Sequence, residues 1–420
     1  LFLTIQQAET FFNQREKLGI KPGLERMHAL LTSVNQPEQQ LKAIHIAGTN
    51  GKGSTATFIS QILQEQGYYV GSFTSPSFTN RQAMIQLNNR PIRDQFFLAY
   101  LNKLKPCITH LEALDNPPSN FELIVAIAYQ YFADQADFSI IEAGMGGLAD
   151  ATNCLTPLIA VITTVDLDHT DFLGNDIESI ATHKAGIIKE DHPVVIGELP
   201  ASAKDVVVKT AKCVNAQLFQ YERDFSVRSS GTEINYLDHL TSFSFRLNMN
   251  GAHQHHNAAL AIKTIQELVQ LGYPVDSDAI LKGLANANLP GRFQVLRQSP
   301  TIVVDGAHNL AGIKALVKTV AQTYPNHHKK LLFGAFKDKP LKEMIVELDQ
   351  AFDQVIFTSF DHARAETADL LASYSNHPKK LVTYDWKYYL SHMVENDQSD
   401  VVTIVAGSLA FVGIVIHFFE

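Results

Sequence analysis

Three glycines, a lysine and a serine lie within seven residues of one another in the stretch LKAIHIAGTNGKGSTATFISQILQEQ, residues 41–66. The apolar run Ile44 to Ala47 breaks at GTNGKGS. It resumes at helical spacing with Phe58, Ile59, Ile62 and Leu63 on one face, so the pattern is strand, glycine loop, helix start. Glycines at 48, 51 and 53 let backbone N–H groups close around an anion, and the helix N-terminus adds positive potential. Lys52 supplies a full charge and Ser54 a hydroxyl suited to magnesium. The strict spacing G-x-x-x-x-G-K-[ST] is not met, because Ile46 stands five before Gly51 and Gly53 separates Lys52 from Ser54. The chemistry expected is that of a variant phosphate loop, and a mere tight turn would need neither the lysine nor three glycines.

A nucleotide bound there needs a carboxylate opposite the loop. DFSIIEAGMGG is an apolar strand ending in Glu142, placed to hold a magnesium ion that bridges phosphates. PLIAVITTV is another buried strand and ends at DLDHTDFLG, setting Asp166, Asp168 and His169 at a strand's carboxyl end, where ligands gather in open α/β sheets. Lys184, in HKAGIIK, lies on the following helix, where a surface role is equally open from pattern alone. His253, His255 and His256 invite a metal reading, but no acidic or cysteine partner accompanies them, so a helix cap or ligand contact is the better expectation.

The elements that must position these residues form two α/β domains, expected at 1–288 and 289–420 with the boundary at NANLPGRFQVL. The first begins with helices near Thr4 to Lys17 and Leu24 to Val34, then YYVGSF as a strand and a long helix from Asp94 to Leu114. Ser119 with Glu122 reads as a capping box opening a buried helix. After the phosphate-loop sheet, residues 217–247 read as a small antiparallel section. The second domain alternates strand and helix again, which implies a mostly parallel sheet. Asp305, His308 and Asn309 follow its first buried strand.

Composition bounds the partners. Asp and Glu (43) exceed Lys and Arg (34), for a net charge of -9, and no basic run argues for nucleic acid. Cys107, Cys154 and Cys213 form no CxxC pair, which suits a reducing cytosol, and no signal-peptide pattern opens the chain. From Val401 to Phe419 no Asp, Glu, Lys or Arg occurs, close to the length of a membrane span. The β-branched first half, the Gly407-Ser408 interruption and the lack of flanking Lys or Arg favour a buried strand, a turn and a core-facing segment instead, with no membrane.

Together HIAGTNGKGS, TSPSF, IEAGMGGLADATN, DLDHTDFLG, HKAGIIK, HQHHNAALA, PGRF, DGAHN and AGSL closely resemble the folylpolyglutamate synthase and bifunctional dihydrofolate synthase family of bacteria, within the Mur ligase superfamily. The resemblance runs from GLERM near Leu24 to AGSL near Gly407, so it covers essentially the whole chain. It implies an ATP- and Mg2+-dependent ligase adding L-glutamate to a folate through an acyl phosphate, with dihydropteroate left open as a further acceptor. A silent nucleotide-binding paralogue, or a ligase for another carboxylate, is the alternative. It further implies a cytoplasmic protein, read here as a monomer.

Residue by residue, the resemblance assigns Gly48, Thr49, Asn50, Gly51, Lys52, Gly53 and Ser54 to the ATP phosphates, and Ser75, Glu142 and His169, with Ser54, to magnesium. Lys184 matches a lysine carbamylated in many members, its carboxylate then helping to hold metal. Asn257, Arg292, Asp305 and His308 match residues around the nucleotide, which implies a site in the cleft between domains. Lys52, Glu142, His169, Lys184 and His308 form the expected catalytic set, and Ser77, Arg81, Phe121 and Ser408 are candidate substrate contacts. Two departures from the family pattern stand out, the first in the loop associated with the pterin-bearing substrate. Ser77-Phe78 and Ala83-Met84 stand where the family has SPHL and a Glu-Arg pair, and Leu148-Ala149 replaces Arg-Leu in GGRLDATN.

Overall fold

The apolar run before the glycine loop is buried at every residue, which an interior parallel strand requires and an edge strand would not. In the computed structural model it is β1, Ala43–Ala47. It shares a sheet with β2 (Val70–Phe73), β3 (Ile85–Leu87), β4 (Arg90–Pro91), β5 (Phe138–Glu142), β6 (Ile159–Ile162), β7 (Val194–Ile196) and β8 (Leu218–Gln220). The spatial order is β4-β3-β2-β5-β1-β6-β7-β8, and only the β2–β3 and β3–β4 pairings are antiparallel. The structure describes residues 1–19, 21–77, 80–230, 233–395 and 400–420. The chain divides into two compact units, residues 1–248 with 255–287 and residues 249–254 with 288–420.

In the first unit the helix Lys52–Glu65 buries Phe58, Ile59, Ile62 and Leu63, the face its spacing predicts. Ser119 and Glu122 form the expected capping box at the start of Asn120–Gln135. Glu122 also accepts a hydrogen bond from Arg26 Nε at 2.9 Å, in a pair almost fully buried. That pair ties the helix Glu25–Thr32 onto the cap, so breaking one partner would strand a buried charge.

Residues 217–247 are not wholly antiparallel. β9 (Phe225–Ser230), β10 (Glu233–Asp238) and β11 (Ser242–Phe245) do form an antiparallel sheet, but β8 pairs parallel with β7 and extends the main sheet. Three residues are too few to show a period, and what holds β8 is nonlocal: the Lys263 ammonium lies 4.3 Å from the Phe219 ring centroid.

The second unit has β12 (Gln294–Gln298), β13 (Thr301–Val304), β14 (His328–Phe333), β15 (Gln354–Phe357), β16 (Lys380–Val382) and β17 (Val401–Ala406), in the order β12-β13-β17-β14-β15-β16. β12 alone is antiparallel. The uncharged stretch 401–419 is therefore the central strand β17, buried throughout, and the helix Leu409–Phe419. Among the described residues no helix is long and apolar enough to cross a membrane.

Candidate active site

Register places four segments side by side at the carboxyl edge of the first sheet. Phe73 pairs with Ile141, Ile46 with Glu142, and Ala47 with Ile162. Ser75 beyond β2, Glu142 at the end of β5, the glycine loop after β1 and the 163–169 segment after β6 consequently leave the sheet next to one another. The strand order reverses about β1, and such a reversal opens a crevice at the strands' carboxyl ends.

The glycine loop is latched from β6. Thr49 N–H donates to Thr164 O at 2.9 Å, Asn50 N–H to Thr164 Oγ1 at 2.9 Å, and Thr163 Oγ1 donates to Asn50 O at 2.6 Å. A Cβ on Gly48 would run into Thr163 Oγ1, and one on Gly51 into Asn257 Oδ1. Gly51, with φ of 86°, occupies the left-handed cap of the helix Lys52–Glu65, so any side chain there is strained as well as obstructed. Asn257 thus lies against the loop. Ser54 is buried in the first turn.

The charged groups meet here. Lys52 Nζ donates to Gly48 O at 3.0 Å and sits 3.9 Å from a Glu142 carboxylate oxygen. Lys184 is only 3% exposed, at the end of the helix Ile177–Ala185. Burial first, then the Lys52 charge, pull its amine down to about 7, against the opposing pull of Asp168 and Asp166. The surface reading of Lys184 is excluded. Burial also raises the Asp166 carboxyl, with Lys184 working the other way. His169 has φ of 52° and leads into the short helix Thr170–Leu173; its N–H donates to Asp168 Oδ1 at 2.9 Å.

Among the described residues no three His, Cys, Asp or Glu side chains gather as a metal cage, and His253, His255 and His256 form none. Beside the glycine loop the crevice offers the Glu142 carboxylate, 3.9 Å from Lys52, and the buried hydroxyl of Ser54, with Asp166 and Asp168 nearer Lys184. That donor set fits magnesium, which is held by one or two carboxylates and by substrate phosphates rather than by an all-protein cage.

Of the candidate substrate contacts, Phe121 packs over Gly144, just past Glu142, with its ring centroid 5.8 Å from that of Phe73. Ser77 is half-buried, and Phe78 lies outside the described residues. Arg81 is engaged within its own unit: it pairs with Glu9, donates to Asn13 Oδ1 at 3.0 Å and Glu16 Oε1 at 3.1 Å, and lies 5.2 Å from the Phe12 ring centroid.

The second unit gathers Arg292, Asp305 and His308 at the end of β13. Asp305 accepts from Phe293 N–H at 2.9 Å and Ala307 N–H at 2.8 Å. Burial raises its carboxyl, with Arg292 opposing. His308 Nδ1 lies 2.7 Å from Gly306 O. Ser408, almost fully buried, caps the terminal helix by accepting from Ala410 N–H at 3.2 Å, so its oxygen has a structural task.

Thr163 and Thr164 are the residues that latch the loop, and only local sequence could point to them. The threonine pair closing the apolar run PLIAVITTV was the one available signal for the latch; Asp150 and Asn153 stand in the quoted ADATN.

Two family models match, the Mur ligase middle domain over residues 46–265 and the Mur ligase glutamate ligase domain over 291–409. The dihydrofolate synthase/folylpolyglutamate synthase of Bacillus subtilis is 37% identical over 98% of both chains. The folylpolyglutamate synthase of Lacticaseibacillus casei is 33% identical over 91% of each. Mycobacterium tuberculosis folylpolyglutamate synthase, solved with ADP and AMPPCP, superposes with a TM-score of 0.91 at 28% identity, covering 99% of this chain and 98% of that one. Escherichia coli FolC, solved with DHPP and ADP, gives 0.90 at 25% identity over 99% and 97%. With both domain models in sequence order and the likeness spanning the whole length, this chain belongs to the folylpolyglutamate synthase/dihydrofolate synthase family of the Mur ligase superfamily.

Proposed function

We infer that the chain is an ATP-dependent ligase that forms an amide between a folate carboxyl and the amine of L-glutamate. The γ-phosphoryl of ATP passes to the carboxylate, giving ADP and an acyl phosphate; the glutamate amine attacks that carbonyl, and phosphate leaves with the bonding pair. The observation that carries this reading is the Lys52–Glu142 pair at the mouth of a latched phosphate loop. ATP and a carboxylate repel, so Lys52 at the phosphate loop is suited to offset the charge that develops. Ser54, Ser75, Glu142 and His169, with Lys184 as its carbamate, would hold Mg2+, which supplies Lewis-acid polarisation of the phosphates. An amine drawn down to about 7 is substantially neutral at physiological pH, as carbamate formation requires.

The test is ADP release. It should require both L-glutamate and a folate; ADP formed with neither would reduce the protein to a nucleotide hydrolase, and no turnover with any acceptor would favour a nucleotide-binding paralogue. One observation favours dihydropteroate as an additional acceptor. Arg81, the cation within the altered loop 77–84, is committed to Glu9 and Glu16, which weakens the case for a loop built to hold a polyanionic tail. Assaying dihydropteroate and folate side by side decides it. The same reading makes the protein a cytoplasmic monomer, in keeping with three free cysteines; sedimentation at micromolar concentration tests the monomer.

A further inference from the structure

Between Glu142 and the helix carrying Lys184 lies a short backbone weld. Leu148 N–H donates to His183 O at 2.7 Å, a carbonyl in the last turn of the Lys184 helix that also accepts the capping Gly186 N–H at 3.3 Å. Asn153 spans the joint: its Nδ2 donates to Leu148 O at 3.0 Å and to Gly186 O at 3.1 Å, so one amide holds the loop after β5 and the end of the Lys184 helix together. Asn153 is 6% exposed, so these bonds exchange little with water. The loop reaches Asn153 already shaped. Asp150, buried, accepts from Met145 N–H at 2.8 Å and Thr152 N–H at 3.0 Å, and His45 Nε2 lies 2.9 Å from Thr152 Oγ1. At Gly147 a Cβ would lie 2.7 Å from His183 O, so backbone meets backbone with no side chain between.

We propose that Asn153 is a positioning residue, which sets the register of Lys184 against Glu142 and Lys52 through its two carbonyl contacts. The inference rests on the ligase reading for its kinetic consequence and on geometry alone for its structural one. Without the amide, only the Leu148–His183 bond and the backbone contact at Gly147 join the loop to the helix end, and the Lys184 amine is held less firmly in its buried seat.

The experiment pairs a double-mutant cycle with lysine footprinting. Asn153→Ala should lower kcat by roughly ten- to a hundredfold, the scale of a small misplacement near the chemistry, while the KM for ATP changes little. Added to Lys184→Ala, it should cost almost nothing more, because both remove the same contribution. In acetic anhydride labelling read by mass spectrometry, Lys184 should react several times faster in Asn153→Ala, while Lys263, comparably buried on another helix, stays protected. Multiplying kcat losses, or unchanged Lys184 labelling, would overturn the proposal. A wild type that forms no ADP with glutamate and acceptor defeats the ligase reading instead, and the labelling then decides the inference alone. If Asn153→Ala does not fold, Gly147→Ala, which pushes the same two backbones apart, carries both measurements.

Discussion

The two units each place acidic and basic side chains at the carboxyl end of a parallel sheet, and they use them differently. In the first, Lys52, Glu142, Lys184, Asp166 and Asp168 crowd together with charges only partly offset, and the Lys184 amine is drawn far from its ordinary value. In the second, both oxygens of Asp305 accept backbone N–H groups and Arg292 stands near as counter-charge. Glu142 stands 3.9 Å from the Lys52 ammonium beside the glycine loop, whereas Asp305 is occupied in shaping its own loop. Residue type and placement at a strand end are thus shared by an ion pair at the phosphate loop and by a backbone scaffold.

The sharpest way to break this contrast is to remove the first unit's charges. Lys52→Ala and Glu142→Ala should each lower kcat at least about a hundredfold at saturating ATP, the usual scale for losing a preorganised charge, with melting temperature little changed. ADP-release assays check this, and near-normal turnover would take these residues out of the site. Asp305→Asn should behave in the opposite sense. An amide nitrogen would then face a backbone N–H, costing about 1–3 kcal/mol of stability. Trp386, the single tryptophan, is buried in the second unit, so its fluorescence during urea unfolding reports the loss where it arises.

Smaller effects sharpen the comparison. Burial, with the Lys189 charge adding, drives the His45 imidazole from 6.5 down to about 3. The unfolded chain takes up that proton near 6.5 and the folded chain only near 3, so between them the unfolded state binds more protons and stability falls as pH falls. This one group contributes about 1.4 kcal/mol per pH unit across that window. His45→Gln should flatten the slope of unfolding free energy against pH, and an unchanged slope would mean that the imidazole is not kept neutral in the fold. Least of all, Arg81→Ala should leave the KM for the folate acceptor within about twofold, because the guanidinium is engaged by Glu9, Asn13 and Glu16; a partly exposed cluster of this kind contributes roughly 1 kcal/mol or less. A large rise in KM would return Arg81 to the acceptor site.

The phosphate loop, Glu142 and the central strands were legible because their requirements are local: glycine where a side chain would collide, lysine beside it, apolar runs where both faces are buried. The same holds for the capping box at Ser119 and for Val401–Phe419, whose Gly407-Ser408 interruption distinguishes strand plus helix from a span. What stayed hidden depends on distant partners. Thr163 and Thr164 act on a loop more than a hundred residues earlier, β8 joins the main sheet through nonlocal contacts, and Arg81 finds Glu9 and Glu16 near the start of the chain. Lys184 could be read either way until its burial was known.

The place of β17 bears on how the second unit assembles. It lies between β13 and β14, so these two cannot pair with each other; each waits for a strand about seventy or more residues further along. Only β12 and β13 can zip locally as a hairpin, which makes the middle of this sheet a late, high-contact-order event, slow by topology rather than by weakness of the finished core. During refolding, amide exchange should protect β13 and β14 on their β17 sides together and late. Independent early protection of either would mean that the sheet is built from its edges inward. Until residue 406 has joined, the hydrogen-bonding edges of β13 and β14 lack their neighbour, and that interval is when the chain is most open to aggregation or to a chaperone.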